Sequence, residues 1–112
     1  SDANVVYSTA EVAPSYVGGK DAMEKFLNDN VTYPQEAKDR GDEGTVFVDF
    51  IVSKDGVVRE IQATDEAADN MDQSLRDEAV RLVASMPRWN AGRQNGKPVP
   101  VKYSLPVTFM LN

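Results

Sequence analysis

The strongest pattern in this sequence is a two-residue alternation close to the C-terminus. The odd positions from 99 to 111 are all apolar or aromatic, and the even positions hold Pro100, Lys102, Ser104, Pro106, Thr108 and Met110. Such alternation is typical of a β-strand with one face in the core and the other in water. The sequence therefore predicts a long final strand with its odd-numbered side chains buried.

A second period-two pattern lies in the middle of the chain and predicts a β-hairpin. Residues 45–53 place Val46, Val48, Phe50 and Val52 on one face, and residues 57–64 form the returning arm. The segment Lys54-Asp55-Gly56 between them is typical of a tight turn. These two strands are expected to be antiparallel.

Three other segments have helical spacing. The first runs from Asp21 to about 28–30, the second from Pro34 to Arg40, and the third from about 71 to 86. Proline suits the first position of a helix and glycine the residue after its end, so Pro34 and Gly41 frame the second helix. Pro87 ends the third, and Trp89 after it is expected to plug the end of the core.

The order helix, helix, strand, strand, helix, strand limits the topology. The third helix is about 22 Å long at 1.5 Å per residue, enough to carry the chain back along a strand. The final strand then runs antiparallel to the first. The sequence predicts an α+β fold: a three-stranded antiparallel sheet of order 2-1-3, with helices packed on one face and the final strand at an edge.

The prolines of the final strand fit an edge position independently. Pro100 and Pro106 are both even-numbered, so their missing N–H groups fall on the same side of the strand. The odd residues keep complete backbone groups for the neighbouring strand. Lys102, Ser104 and Thr108 are then expected to turn their backbone groups outward, as is Met110. The pattern leaves open whether solvent or a partner strand occupies that edge.

Composition indicates a single domain without catalytic equipment. The chain has 112 residues, with 12 Lys and Arg against 18 Asp and Glu, a formal charge of −6 that argues against general nucleic-acid binding. No run reaches the roughly 18 apolar residues of a membrane span. The absence of Cys and His excludes a hydrolytic triad of the usual kind and thiolate or imidazole zinc sites. We predict no enzyme activity, no catalytic residue and no cofactor.

Four carboxylates cluster before the third helix, at Asp65, Glu66, Asp69 and Asp72. Their spacing does not match a calcium-binding loop, and acidic side chains favour the positive end of a helix. We interpret them as part of the helix start, with Asp69 or Asp72 as its cap, and predict no metal site.

The two ends of the chain suggest a division into two parts. Residues 1–17 are expected to form an extended N-terminal segment, and residues 18–112 the domain. The start Ser1-Asp2-Ala3 is interpreted as a cloning remnant on an excised piece of a longer protein. The sequence leaves open whether residues 1–17 lie across the sheet or have no fixed structure.

Several of these features, in this order, resemble the C-terminal domain of TonB. They are Tyr33-Pro34 before a short helix, the alternation after Gly44 that leads into the 54–57 turn, the helix end at 85–89, and the strand 101–109. The resemblance extends over about residues 18–111. It implies a periplasmic domain that links inner-membrane energy to outer-membrane receptors.

The resemblance also implies partners and a binding site. In that family a transmembrane helix, absent from this sequence, engages the ExbB–ExbD motor and tethers the protein to the inner membrane. The globular domain binds the TonB box of a TonB-dependent receptor as a strand added beside the last strand, here about Val99–Met110, for the import of substrates such as siderophores. The implied partner-binding residues are Tyr33, Pro34, Gln35, Val101, Lys102, Tyr103, Ser104, Thr108 and Met110.

A second hypothesis keeps the same edge strand but changes its use. Similar domains are expected on standalone periplasmic proteins and on membrane-bound sensors. In such a protein the edge would pair with a second copy, which makes a homodimer the alternative partner.

Overall fold

Residues 5–64 and 71–112 are the part of the chain that the computed structural model describes. The expected cloning remnant and the carboxylates Asp65, Glu66 and Asp69 lie outside the described residues. Within the described ranges, the elements follow in the order α1 (Gly19–Asn30), α2 (Gln35–Arg40), β1 (Gly44–Val52), β2 (Val58–Ala63), α3 (Gln73–Ala84), β3 (Gly92–Gln94), β4 (Lys97–Val99) and β5 (Val101–Phe109).

The main sheet has the predicted architecture. Its strands lie in the order β2-β1-β5, and both pairs are antiparallel. Val48 of β1 lies opposite Leu105 of β5, and this register continues without interruption along the pair. The α+β fold, the central first strand and the edge position of the final strand are therefore confirmed.

Alternation sets which sheet face is buried. The predicted inward residues of β1 are all buried, and Val101, Leu105, Val107 and Phe109 of β5 are buried on the same side, with Tyr103 half-buried. The even residues of β5 are exposed along the whole strand. On the outer face, Phe47 is 38% exposed opposite Pro106.

The β1–β2 hairpin contains one irregularity that its sequence pattern does not show. The pairing shifts by one residue between Asp49 and Ile51, because β2 carries an extra residue there. Glu60 has φ 53 at this place, a left-handed conformation that is typical of a β-bulge. The bulge twists β2 locally, and Glu60 and Gln62 lie along the outer-face cavity with Asp49.

Caps define the ends of the short helices. Pro34 is extended and stands one residue before α2, while Gly41 ends it at φ 67 with its N–H donated to the Lys38 carbonyl. Asp72 caps α3, where its carboxylate accepts from the Ser74 amide at 3.0 Å. Of the two residues predicted as possible caps, Asp72 therefore fills the role.

The core lies between the inner sheet face and the helices. α3 contributes Leu75, Ala79, Leu82 and Val83. α1 contributes Met23 as its buried side chain, with Phe26 and Leu27 partly covered. Trp89 is 4% exposed and closes one end of the core, as predicted.

The final strand differs from its prediction at Pro100. The chain forms two strands there, β4 before Pro100 and β5 after it, and β4 pairs with β3 as a separate hairpin. The sequence from Asn90 to Gly96 lacks a regular period and favours a loop, and this prediction is wrong for residues 92–94, which form β3. Asn95 and Gly96 have φ 53 and 76, the two positive values that a tight hairpin turn of this type requires. Pro100, which has no N–H to give, stands where the chain leaves one sheet and enters the other.

Residues 5–17, which we call the strap, lie along the β3–β4 hairpin and the start of β5. Val12 exchanges two backbone hydrogen bonds with Arg93, and Ser15 exchanges two with Asn90. Pro14 and Tyr16 are buried. Of the two possibilities left open by the sequence, the described part of the N-terminal segment thus packs against the domain.

Candidate functional site

The outer side of β5 is the candidate site, because β1 is its one neighbouring strand in the main sheet. The strap shows which backbone groups face outward. Tyr7 donates its N–H to the Pro100 carbonyl at 2.9 Å and accepts from the Lys102 N–H at 2.9 Å. Since backbone groups alternate along a strand, even-numbered residues point away from β1, as the two prolines had indicated.

Ser104 and Thr108 carry the free part of this edge. Their outward N–H and C=O groups have no hydrogen-bond partner among the described residues, and both side chains are exposed. Pro106 between them offers an outward C=O but no N–H. The Thr108 hydroxyl lies 3.0 Å from that of Thr45 on the outer face, which leaves its backbone groups available.

Lys102 differs from the expectation. Its outward N–H was expected to be free, and this is wrong, because Tyr7 of the strap holds it. The sequence pattern predicts an extended N-terminal segment over residues 1–17, which includes Tyr7. It could not show where that segment docks, because pairing between distant segments depends on the tertiary arrangement.

A groove runs along the free part of the edge. It has a volume of ≈ 260 Å³ and lies between α1 and β5. Its apolar wall is formed by Leu27, Val31 and Leu82, and Glu24 and Asn28 stand at its polar side. A strand placed beside Ser104–Thr108 would therefore direct one side chain into this amphipathic groove, next to residues 106–108.

The predicted Tyr33-Pro34-Gln35 motif meets β5 at its far end. The Tyr33 ring packs edge-on against Phe109 with 5.8 Å between ring centroids, and its hydroxyl donates to the Asp42 carbonyl. Burial, with the charges of Glu43 and Asp42 added to it, raises the pKa of this hydroxyl. The hydroxyl therefore stays protonated and remains a donor at neutral pH.

The other residues of the motif, Pro34 and Gln35, contact their own helix, and the residue after β5 is exposed. Pro34 caps α2, and Gln35 donates from its side chain to Asp39 within the same helix at 2.8 Å. Met110 is 73% exposed at the end of the edge. The next residue, Leu111, donates its N–H to the Glu43 carboxylate at 2.6 Å. The structure thus brings Tyr33 to β5, whereas Gln35 turns toward its own helix.

Two of the predicted partner-binding residues point into the core. Val101 is 2% exposed, and Tyr103 packs against Phe50 and Trp89 at centroid distances of 5.5 and 4.9 Å. Their side chains pack on the core side of the sheet and hold β5 in place. Any contact that they make with a partner strand is indirect, through the position of β5.

A carboxylate that the sequence interpretation did not single out holds the segment before Tyr33. Glu78 of α3 is 8% exposed and accepts from the Thr32 amide at 2.7 Å, and Arg81 donates to both of its oxygens at 2.6 and 2.7 Å. Burial opposes ionisation, but the bonds from Arg81 and Thr32 outweigh it and lower the pKa of Glu78. Glu78 and Arg81 share one face of a helix three residues apart, but only the fold brings Thr32 to them.

The described ranges hold neither a cluster of side chains suited to a metal ion nor a helix suited to a membrane span. They contain no group of three or more acidic side chains arranged to hold a metal ion. None of the helices in the described part of the chain combines the length and the apolar character that a membrane span requires.

Comparison with known families identifies the fold. The family described as the Gram-negative bacterial TonB protein C-terminal matches residues 29–111, which is most of the chain. The chain belongs to the TonB C-terminal family. Comparison with curated proteins found no match.

Two solved TonB C-terminal domains are similar in structure. The Pseudomonas aeruginosa domain has 26% sequence identity and a TM-score of 0.57, over 75% of this chain and 81% of that one. A Helicobacter pylori domain has 22% identity and a TM-score of 0.57, over 80% and 78%. The second match shows a shared fold.

Membership in the TonB C-terminal family supports a TonB-like role in energy transduction. The family is one of non-enzymatic interaction domains located in the periplasm, and it implies interaction with TonB-dependent receptors. The strap lies outside residues 29–111, so it is a feature of this chain beyond the part that matches the family.

Proposed function

We propose that this domain binds the TonB box of TonB-dependent outer-membrane receptors by strand addition along β5, and transmits inner-membrane proton-motive energy for substrate import. The observation that carries the proposal is the row of outward backbone groups at Ser104 and Thr108, which have no partner within the described residues. They lie on an edge strand flanked by a groove of suitable shape.

Strand addition suits a domain that has to serve more than one receptor. Backbone hydrogen bonds give affinity without reading side chains, and pockets for alternate side chains add specificity. An antiparallel partner would make two hydrogen bonds at Ser104, one at Pro106 and two at Thr108. The apolar wall of the groove would receive one side chain of that partner.

The same geometry suits a pulling device. A load along the strand direction acts on all of these hydrogen bonds together, whereas a load across the edge would break them in turn. We propose that the full-length protein is tethered to the inner membrane by an N-terminal helix that engages ExbB–ExbD, so that the load arrives from the periplasmic side of that membrane.

Titration with a receptor peptide tests the proposal. We expect a TonB-box peptide to shift the backbone amide resonances of Ser104 and Thr108 in nitrogen-15 NMR spectra, because these N–H groups gain acceptors. Val46 of the central strand provides a buried internal control. Shifts confined to other regions, or none at millimolar peptide, would contradict strand addition at β5.

Pairing between two copies is the other outcome that this edge allows. Analytical ultracentrifugation over a wide concentration range separates the two uses. Concentration-dependent dimerisation, without any response to receptor peptides, would favour a periplasmic structural or sensory domain that pairs with itself through β5.

A further inference from the structure

We propose that the strap is a built-in competitor for the docking edge: Tyr7 covers its first part, and a partner strand that pairs along the whole of β5 has to displace it. This inference rests on the proposed function. It divides the edge into a free part, Ser104–Met110, and a covered part, Pro100–Lys102.

The covered part is occupied through the backbone groups that a partner would use. Tyr7 donates to the Pro100 carbonyl and accepts from the Lys102 N–H, each at 2.9 Å, and it runs parallel to β5. A backbone N–H makes one good hydrogen bond, so Tyr7 and a partner residue cannot both pair with Lys102. The competition is therefore direct.

The strap is held unevenly, so its first part can leave alone. Tyr16 is buried and packs on Trp89 and Phe26 at centroid distances of 5.7 and 6.2 Å. Farther along, the Glu11 carboxylate accepts from the Asn95 amide at 2.6 Å. Tyr7 itself is only half-buried and is held by its two backbone bonds.

The segment between Tyr7 and Glu11 provides a hinge. Ser8 and Thr9 are exposed, form a bend and make no hydrogen bond within the described residues. Rotation there would release Tyr7 while Glu11, Val12 and Ser15 keep their contacts. Release of Tyr7 therefore does not require the core to open.

Two peptide lengths test the competition. At about 3.3 Å per residue for both strands, a TonB-box peptide of about seven residues covers the free part, and one of about eleven residues covers the free and covered parts together. The variant Tyr7→Pro removes the donor to Pro100. We expect it to bind the long peptide about threefold more tightly or better, and the short peptide as wild type does, by isothermal titration calorimetry.

Tyr7→Ala is the matched control, because it removes the same side chain but keeps the N–H that donates to the Pro100 carbonyl, and it should bind the long peptide as wild type does. Hydrogen exchange on the wild-type protein provides a second measurement that needs no variant. The Tyr7 amide should lose protection when the long peptide binds and keep it when the short peptide binds.

Two results would overturn the inference: equal affinity of Tyr7→Pro and wild type for the long peptide, or a Tyr7 amide that stays protected in the long-peptide complex. In either case, binding of the short peptide would still uphold the proposed function. Failure of both peptides to bind any of the proteins would overturn the proposed function and this inference with it.

Discussion

Neighbouring residues of β5 have different roles: odd-numbered residues hold the strand in the fold, and even-numbered residues face outward. Odd-numbered residues such as Leu105 bury their side chains and give their backbone groups to β1, and even-numbered residues such as Ser104 expose both. The chain itself shows that proline is compatible with the even positions, since Pro100 and Pro106 are both in this register. Substitutions at neighbouring positions should therefore separate binding from folding.

Ser104→Pro is expected to weaken TonB-box binding while the fold is retained. The substitution removes one outward N–H from the edge, and that donor has no partner among residues 5–64 and 71–112. The control Leu105→Pro removes a donor of the β1–β5 ladder and should destabilise the domain. Circular dichroism measures the fold and calorimetric titration the affinity. Unfolding by Ser104→Pro would show that the outward assignment is wrong.

Tyr103→Asp or Leu105→Asp should unfold the domain, since each places a charge on the core side of β5. Thr108→Asp on the outer side serves as the control and should leave the far-ultraviolet circular dichroism unchanged. A folded Leu105→Asp variant would contradict the assignment of faces along β5.

Glu78 is the buried charge whose loss should show in the pH dependence of stability. Its folded-state pKa is lowered, so its stabilising effect is present above the unfolded-state value of about 4.3 and is lost as the pH falls through the lower folded-state value. We expect Glu78→Gln to lose about 1–2 kcal/mol of unfolding free energy at pH 7, because Arg81 is half exposed and the pair is partly screened.

Urea unfolding at pH 7 and at about pH 3.5 measures this effect. Wild type and Glu78→Gln should differ less at the lower pH, because the stabilising effect of the Glu78 charge falls once the pH is below the unfolded-state pKa. Asp77→Asn is the control on the same helix: its side chain is exposed and its partner is Gln73. If the unfolding free energies of wild type and Glu78→Gln differ by the same amount at both pH values, the lost stability does not come from the Glu78 charge.

Elements of this fold are joined by turns whose glycines serve different purposes. Gly56 in the β1–β2 turn has φ 81, and a side chain there would strike the Trp89 carbonyl oxygen. Its own carbonyl accepts from the Trp89 N–H at 2.8 Å. Gly96 in the β3–β4 turn has φ 76 but faces open space. The first turn is therefore packed against the end of the core, whereas a side chain at Gly96 in the second turn would meet nothing within 4 Å.

Substitution of these two glycines should separate backbone strain from steric collision. Gly96→Ala carries only the left-handed strain, about 1–2 kcal/mol of unfolding free energy. Gly56→Ala adds a collision with backbone and should cost about 2–4 kcal/mol. Chemical denaturation measures both. Equal losses would mean that the Gly56 turn shifts away from Trp89 at no cost.

Across the whole molecule, an aromatic cluster connects parts that lie far apart in the sequence. Trp89 contacts Tyr16 of the strap, Phe50 of β1 and Tyr103 of β5, and Tyr16 also reaches Phe26 of α1. The strap thus shares the core of the domain at one end and only the β5 edge at the other. Its two ends should differ in their effect on stability.

Tyr16→Ala is expected to lower the unfolding free energy by about 2–4 kcal/mol, since it leaves a cavity beside Trp89. Tyr7→Ala should lower it by less than about 1 kcal/mol, because the half-buried side chain loses little contact and the two backbone bonds remain. Thermal unfolding followed by Trp89 fluorescence compares them. A larger effect at Tyr7 would contradict the uneven attachment of the strap.

Much of the fold could be predicted from local pattern. The period of β1 and β5, the frame of α2 by Pro34 and Gly41, and the parity of Pro100 and Pro106 each depend on residues close in sequence. The β3 strand could not be predicted, because a strand of three residues is too short to show a two-residue alternation. The bulge at Glu60 was missed because a charged residue in a left-handed conformation has no sequence signal.

The sequence by itself determined α1–α3, the order of the main sheet and the side of β5 that faces outward, because side-chain periodicity and the missing proline N–H groups are local properties of the chain. Only the tertiary structure decided that Tyr7 holds Lys102, that Glu78 holds Thr32 and that Tyr33 packs on Phe109. Each of these contacts joins two segments that are far apart in the sequence. Whether the two segments touch depends on how the whole core packs, and a local sequence pattern does not encode this.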